Sequence, residues 1–150
     1  MKKFSYRMEN ILNIKLQMEE QQKVAFALAS NALEEEKDKL SALSNRQKSY
    51  ERRFKELLRD DLDLAEIAST RRGIDQMKVL VREQMFNVVS AEKKLDVERK
   101  KLYDIRVERK TQEKLKEYAF EAYKKEYAME EAREIDQTVS YTYSADRDSA

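Results

Sequence analysis

Ile67, Ile74, Val81, Val88, Leu95 and Leu102 fall at every seventh position along one stretch of this chain. Seven residues are close to two turns of α-helix, so the repeat lays these side chains in one stripe along a single helix face. Thr70, Met77, Gln84, Ala91, Glu98 and Ile105 occupy the companion positions of the same seam. A stripe this narrow cannot close a globular core and has to pair with a second helix. The period therefore predicts a helix over about 65–135, packed lengthwise against another.

The other helix lies in the same chain. Its seam reads Ile11, Ile14, Met18, Gln21, Ala25, Leu28 and Ala32, and is then expected to drift by one residue to Phe26, Ala29, Leu33, Glu36, Leu40, Leu43, Gln47, Tyr50, Phe54 and Leu57. Such a drift follows when a helix of 3.6 residues per turn carries a 3.5-residue repeat. Helix one is expected at about 4–59 and the turn at about 60–64. Between the arms lies Arg59-Asp60-Asp61-Leu62-Asp63-Leu64-Ala65-Glu66, where Asp63 and Glu66 have the capping-box spacing of a helix start. The lone Gly73 is the rival break, since glycine costs about 1 kcal/mol inside a helix. The heptad nevertheless runs through it from Ile67 to Ile74 to Val81.

The expected fold is all-α, a long antiparallel two-helix coiled-coil hairpin over residues 1–136 in which position i faces about 124 minus i. A first arm of about 55 residues would run roughly 80 Å at 1.5 Å per residue, and helix two would outlast it. From Gln137 to Asp146 the chain loses the apolar period and gains Ser, Thr and Asp, so residues 137–150 read as a frayed or disordered tail.

Composition narrows the chemistry. Charged residues make up 41% of the chain, with one glycine and no proline, cysteine, histidine or tryptophan. Lys plus Arg is 31 and Asp plus Glu is 30, so a formal charge of +1 supplies no bulk attraction to nucleic acid or anionic lipid. The basic clusters Arg52-Arg53, Arg71-Arg72 and Arg99-Lys100-Lys101 each have acids within a turn and read as ordinary coiled-coil flanks. The carboxylate runs Glu34-Glu35-Glu36 and Glu130-Glu131 lack a histidine or a glycine-bearing loop beside them and read as solvated charge, not as metal ligands. A two-helix ribbon has nowhere to shift a catalytic pKa, and no glycine loop exists to cradle phosphate. No enzyme, catalytic residue, metal or cofactor is expected. Arg7, Glu9, Lys15 and Glu19 interrupt any signal-peptide core, and no run approaches a membrane span of roughly 18 apolar residues. A soluble cytoplasmic protein without membrane insertion is expected.

Tyr118, Phe120, Tyr123 and Tyr127 crowd one part of helix two, with Met129 close by. Some should seal the open end of the hairpin and one or two should be partner anchors. Tyr50 and Phe54 read as core.

The opening Phe4-Ser5-Tyr6-Arg7-Met8-Glu9-Asn10-Ile11-Leu12-Asn13-Ile14-Lys15 resembles the start of the flagellar export protein family FliJ, whose members begin with an aromatic, then aromatic-Arg-Leu-Glu, then an aliphatic run closing in a basic residue. Length, a turn near the middle and a basic second helix with a polar tail extend the resemblance over the whole chain. The resemblance implies a stalk-like hairpin that docks on the hexameric flagellar export ATPase and promotes its activity. It also implies contact with the membrane export gate and export chaperones, and peripheral association with the inner-membrane apparatus. On the ATPase side it implies Phe4, Tyr6, Arg7, Ile11, Lys15, Tyr118, Tyr123 and Tyr127. On the gate side its pattern falls on Lys39, Leu43, Arg46, Tyr50, Met77, Leu80 and Gln84, with Gly73 standing where the family usually has an aromatic.

Three alternatives stay open on the sequence. The chain could be the stalk homologue of a virulence type III secretion system, or a purely structural coiled coil that dimerises or tethers. A nucleic-acid-binding coiled coil would instead show steeply salt-dependent binding.

Overall fold

The structure is a computed structural model that describes residues 2–59 and 61–149. Met1, Asp60 and Ala150, which belong to the expected arm, turn and tail, lie outside the described residues. Two helices form, α1 (Glu9–Leu57) and α2 (Leu64–Asp148), with no strand among the described residues. They pack against each other as an antiparallel helical hairpin, the architecture that the two heptad seams predict. Two compact units can be distinguished, Glu20–Tyr103 and Met1–Glu19 with Asp104–Ala150.

In Glu20–Tyr103, α1 closes at Leu57, where Leu58 N donates to the Phe54 carbonyl and Arg59 N to the Glu56 carbonyl. Asp63 caps the start of α2, its Oδ1 accepting from Ala65 N at 3.1 Å and Glu66 N at 3.3 Å. Two orphan amides of the first turn are thereby satisfied. Glu66, the other half of the capping-box pattern, binds the Arg53 guanidinium across the turn. Gly73 sits inside α2 without a positive φ, so the heptad carries through it.

The apolar centre of this unit is Leu33, Val88, Ala91 and Leu95, with Phe26, Ala29 and Leu40 packed against them. These are the expected seam residues, and burying each aliphatic side chain contributes about 1.5–3 kcal/mol. A polar layer brackets the centre on each side. Gln22 Nε2 donates to the Glu98 carbonyl at 3.1 Å, and Gln84 Nε2 donates to the Glu36 carbonyl at 2.9 Å. Each amide also meets the carboxylate of the same glutamate.

In the other unit, Tyr6 and Leu12 are buried against the α2 segment beyond Asp104. The Tyr6 hydroxyl donates to Gln112 Oε1 at 3.0 Å. Glu19 is only 5% exposed and is held by the Arg106 and Arg109 guanidiniums. Lys15 pairs with Glu108 at 2.7 Å and Lys116 with Glu9 at 2.9 Å. Phe4 against Phe120 keeps to the expected pairing of i with about 124 minus i.

The expected drift of the α1 seam does not occur. The register of Phe26, Leu33 and Leu40 continues back through Gln22, Glu19, Lys15 and Leu12, each less exposed than the residue before it. The row read as seam lies outside it, with Ile14 53% and Leu28 64% exposed. The reason is on α2: Glu98, Arg106, Arg109 and Glu108 supply partners for polar seam residues, so the seam accepts charge and amide where an apolar row was expected.

Residues 137–148 are the last turns of α2, and all of them are exposed.

Candidate partner-binding surfaces

Phe4 reaches α2 from the extended segment before α1 and starts an aromatic cluster. Its ring meets Phe120 edge-on, centroids 5.0 Å apart, and lies 5.4 Å from the Tyr123 ring. Phe120 and Tyr123 are near-parallel at 6.3 Å, and Tyr127 adds a fourth ring 6.2 Å beyond Tyr123. Spacings of three and four residues put these three α2 rings on one side of the helix, which is why sequence neighbours stack here. The Tyr123 hydroxyl donates to the Lys2 carbonyl at 2.8 Å, tying the N-terminal segment down. Lys124 Nζ lies 4.9 Å from the Phe120 ring centre, within cation–π range. A cavity of about 350 Å³ elsewhere is lined mainly by small side chains, whereas beside this cluster one of about 590 Å³ is lined by Phe4, Leu12, Glu113, Lys116, Glu117 and Phe120.

Of the eight residues expected on this side, the structure brings Phe4, Tyr123 and Tyr127 together. Tyr6 and Lys15 are spent on internal partners, Gln112 and Glu108. Arg7, Ile11 and Tyr118 are exposed outside the cluster. Phe120, which was not among the eight, is central to it. Its place among crowded aromatics was the sequence signal that could have found it. Glu19 was not singled out either, because a single glutamate in a charged helix looks like solvated surface until its arginine partners fold against it. Hydrogen bonds from Arg109 first to Glu19 and then to Glu113 hold its guanidinium pKa above the ordinary value.

The second surface lies in Glu20–Tyr103. Met77 and Gln84 are buried seam residues, Leu43 and Tyr50 are half-buried, and Lys39, Arg46 and Leu80 are exposed. The Tyr50 ring lies against α2 at Gly73, where an added Cβ would come within 3.1 Å of Tyr50 Cε1. A glycine here therefore makes room for an aromatic from the other helix. A groove of about 960 Å³ runs beside this contact, lined in part by Tyr50, Thr70, Gly73, Gln76, Val79 and Leu80.

No group of three or more metal-ligating side chains converges among the described residues, and no described helix is long and apolar enough to cross a membrane. The sequence pattern of the family described as flagellar FliJ protein matches residues 4–148. The chain belongs to the FliJ family. FliJ proteins are cytoplasmic components of type III protein export, structural and regulatory in character, and the hairpin is the stalk-type protein of that apparatus. The fold of this FliJ-family chain is also that of a candidate YscO homologue, CT670, from Chlamydia trachomatis. The two structures align with a TM-score of 0.78 at 20% identity, over 99% of this chain and 100% of the other. No curated protein matches the FliJ-family chain in sequence.

Proposed function

We propose that this chain binds and activates the hexameric flagellar export ATPase, links it to the export gate, and escorts chaperones of export substrates. The observation that carries the reading is the ring cluster of Phe4, Phe120, Tyr123 and Tyr127. It gives the paired terminal segments a fixed shape, leaves aromatic edges exposed, and falls where family resemblance implies ATPase docking. Aromatic anchors beside charged rims are the usual energetic centres of protein interfaces. The chemistry required is differential binding. An asymmetric body held by a ring of like subunits favours different subunit states at different positions, and that difference in affinity biases hydrolysis.

The groove beside Tyr50 and Gly73, with Lys39, Arg46 and Leu80 accessible nearby, supports a gate-facing role and hence peripheral association with the inner membrane. A stalk role in a virulence-type secretion system is the second reading, and the fold likeness to the candidate YscO homologue favours it.

ATP hydrolysis by the flagellar export ATPase of the source organism, with and without this protein at two salt concentrations, tests the proposal. Stimulation saturating well below one copy per ATPase subunit is the expected outcome. No stimulation and no co-elution would overturn it, and stimulation only of a virulence-system ATPase would establish the second reading.

A further inference from the structure

The turn in Glu20–Tyr103 leaves leucine in water and contains nothing that requires a bend. Leu58, Leu62 and Leu64 are exposed at 51%, 64% and 74%. Residues 58–63 read Leu-Arg-Asp-Asp-Leu-Asp, with neither glycine nor proline, and none of the described residues has a positive φ. Helical hydrogen bonding enters the segment from both sides. Arg59 N donates to the Glu56 carbonyl at 3.1 Å, and the Asp63 carbonyl accepts from Ile67 N at 3.0 Å. Few bonds therefore have to change for α1 and α2 to run on as one helix. Leu57 and Leu64 are then one heptad apart, and a single three-residue stammer, absorbed by local overwinding, brings their row into phase with Ile67, Thr70 and Ile74.

The interhelical pairs fix what such an opened chain would meet. In this unit position i faces about 120 minus i, as in Gln22 with Glu98, Gln84 with Glu36 and Arg53 with Glu66. Each of these pairs can form between two copies with nothing altered, since α1 meets the same α2 surface in either chain. Extended through the turn, the same pairing adds a layer built from residues that the closed hairpin leaves in water. Leu57 of one copy comes to Leu64 of the other, Leu58 to Leu62 and Arg59 to Asp61, each pair formed twice about a dyad at residue 60. The leucines lose water and the Arg59–Asp61 pairs are of opposite sign. Against this, Asp60 falls opposite its own copy, and Asp63 gives up its cap on Ala65 N and Glu66 N.

We propose that two copies of this chain exchange helices at this turn, forming a dimer in which each α1 packs on the α2 of the other copy and the straightened turns pair at the dyad. The exchanged interface is that of the monomer, so the balance between the two forms rests on the turn and on concentration, the condition under which swapping costs little. The pairing is isologous, so association stops at two copies. Conversion requires the seam to come apart, so the forms interchange slowly and the dimer persists on dilution. The inference is independent of ATPase binding.

Refolding the full chain from urea at about 1 μM and at several hundred μM, then sizing both samples at one low concentration by light scattering, tests it. A dimer should appear only after concentrated refolding. The chain has no cysteine, so Ala29→Cys/Ala91→Cys, at facing positions of the apolar centre, reports which chain each helix pairs with. On oxidation the dimer should become a covalent dimer under denaturing conditions, and the monomer an internally linked single chain. Leu64→Asp replaces a side chain exposed in the hairpin, so it should leave the helicity of the monomer unchanged and cut the dimer yield several-fold, whereas Asp60→Asn should raise that yield. Monomer alone after concentrated refolding overturns the proposal. So does a dimer whose cysteines link within each chain, which would mean closed hairpins lying side by side, and so does a dimer yield for Leu64→Asp equal to the parent's.

Discussion

The side-chain amide of Gln84 donates to the backbone carbonyl of Glu36 at 2.9 Å across the seam, and Gln22 does the same to Glu98 with the two helices exchanged. A slip of one heptad would set Gln84 against Ala29 or Leu43 and leave a buried amide without a partner. The pairs thus act on which pairing forms more than on how tightly it holds. The double variant Gln22→Leu/Gln84→Leu should melt no lower than the parent, yet elute as several species by light scattering. A single species matching the parent would count against a role in register.

Leu95 lies at the centre of the apolar cluster with Leu33, Val88 and Ala91. Leu95→Asp places a charge there without a partner, at a cost of several kcal/mol. The hairpin should lose most of its helical signal at ambient temperature. Unchanged helicity and melting temperature would refute the seam assignment.

Glu19 is buried between Arg106 and Arg109, whereas Glu108 is half-exposed where it meets Lys15. Glu19→Ala should lower stability in urea by about 1–2 kcal/mol, since it strips a hydrogen-bonded carboxylate from a desolvated site. Glu108→Ala should cost no more than about 0.5 kcal/mol, as solvent screens an exposed pair. Equal effects would mean that the burial of Glu19 has no energetic consequence.

Gly73 and Tyr50 share one space. Gly73→Phe must push the Tyr50 ring out of the seam and should lower the melting temperature, while Gly73→Phe/Tyr50→Ala should regain most of the loss. Their non-additivity in a double-mutant cycle is the measurement. Additive effects would show that the two positions do not compete.

Removal of residues 137–149 should reduce the helical signal in proportion to the residues lost and leave the melting temperature unchanged, because every one of these side chains is exposed. A drop in melting temperature would mean that this part of α2 is packed against something.

Arg7 is exposed next to buried Tyr6 and takes no part in the seam. Arg7→Glu should weaken stimulation of the export ATPase with no change in helicity. Stimulation equal to the parent's would remove Arg7 from the docking surface.

The sequence by itself determined that there are two helices, that they pair antiparallel, and which α2 residues face α1. Aliphatic side chains at every seventh position leave a helix a single face to bury, and that information is local. The second half of the α1 seam was legible for the same reason. Only the tertiary structure decided which of two adjacent rows in the first half of α1 faces inward. Ile11, Ile14 and Leu28 make the more apolar row, but Lys15, Glu19 and Gln22 meet Glu108, Arg106, Arg109 and Glu98, partners far along the chain. Hydropathy along one helix cannot register a charge waiting on another. The candidate surfaces divide likewise: the crowding of Phe120, Tyr123 and Tyr127 was visible as spacing, while the fit of the Tyr50 ring over Gly73 exists only once the two helices lie side by side.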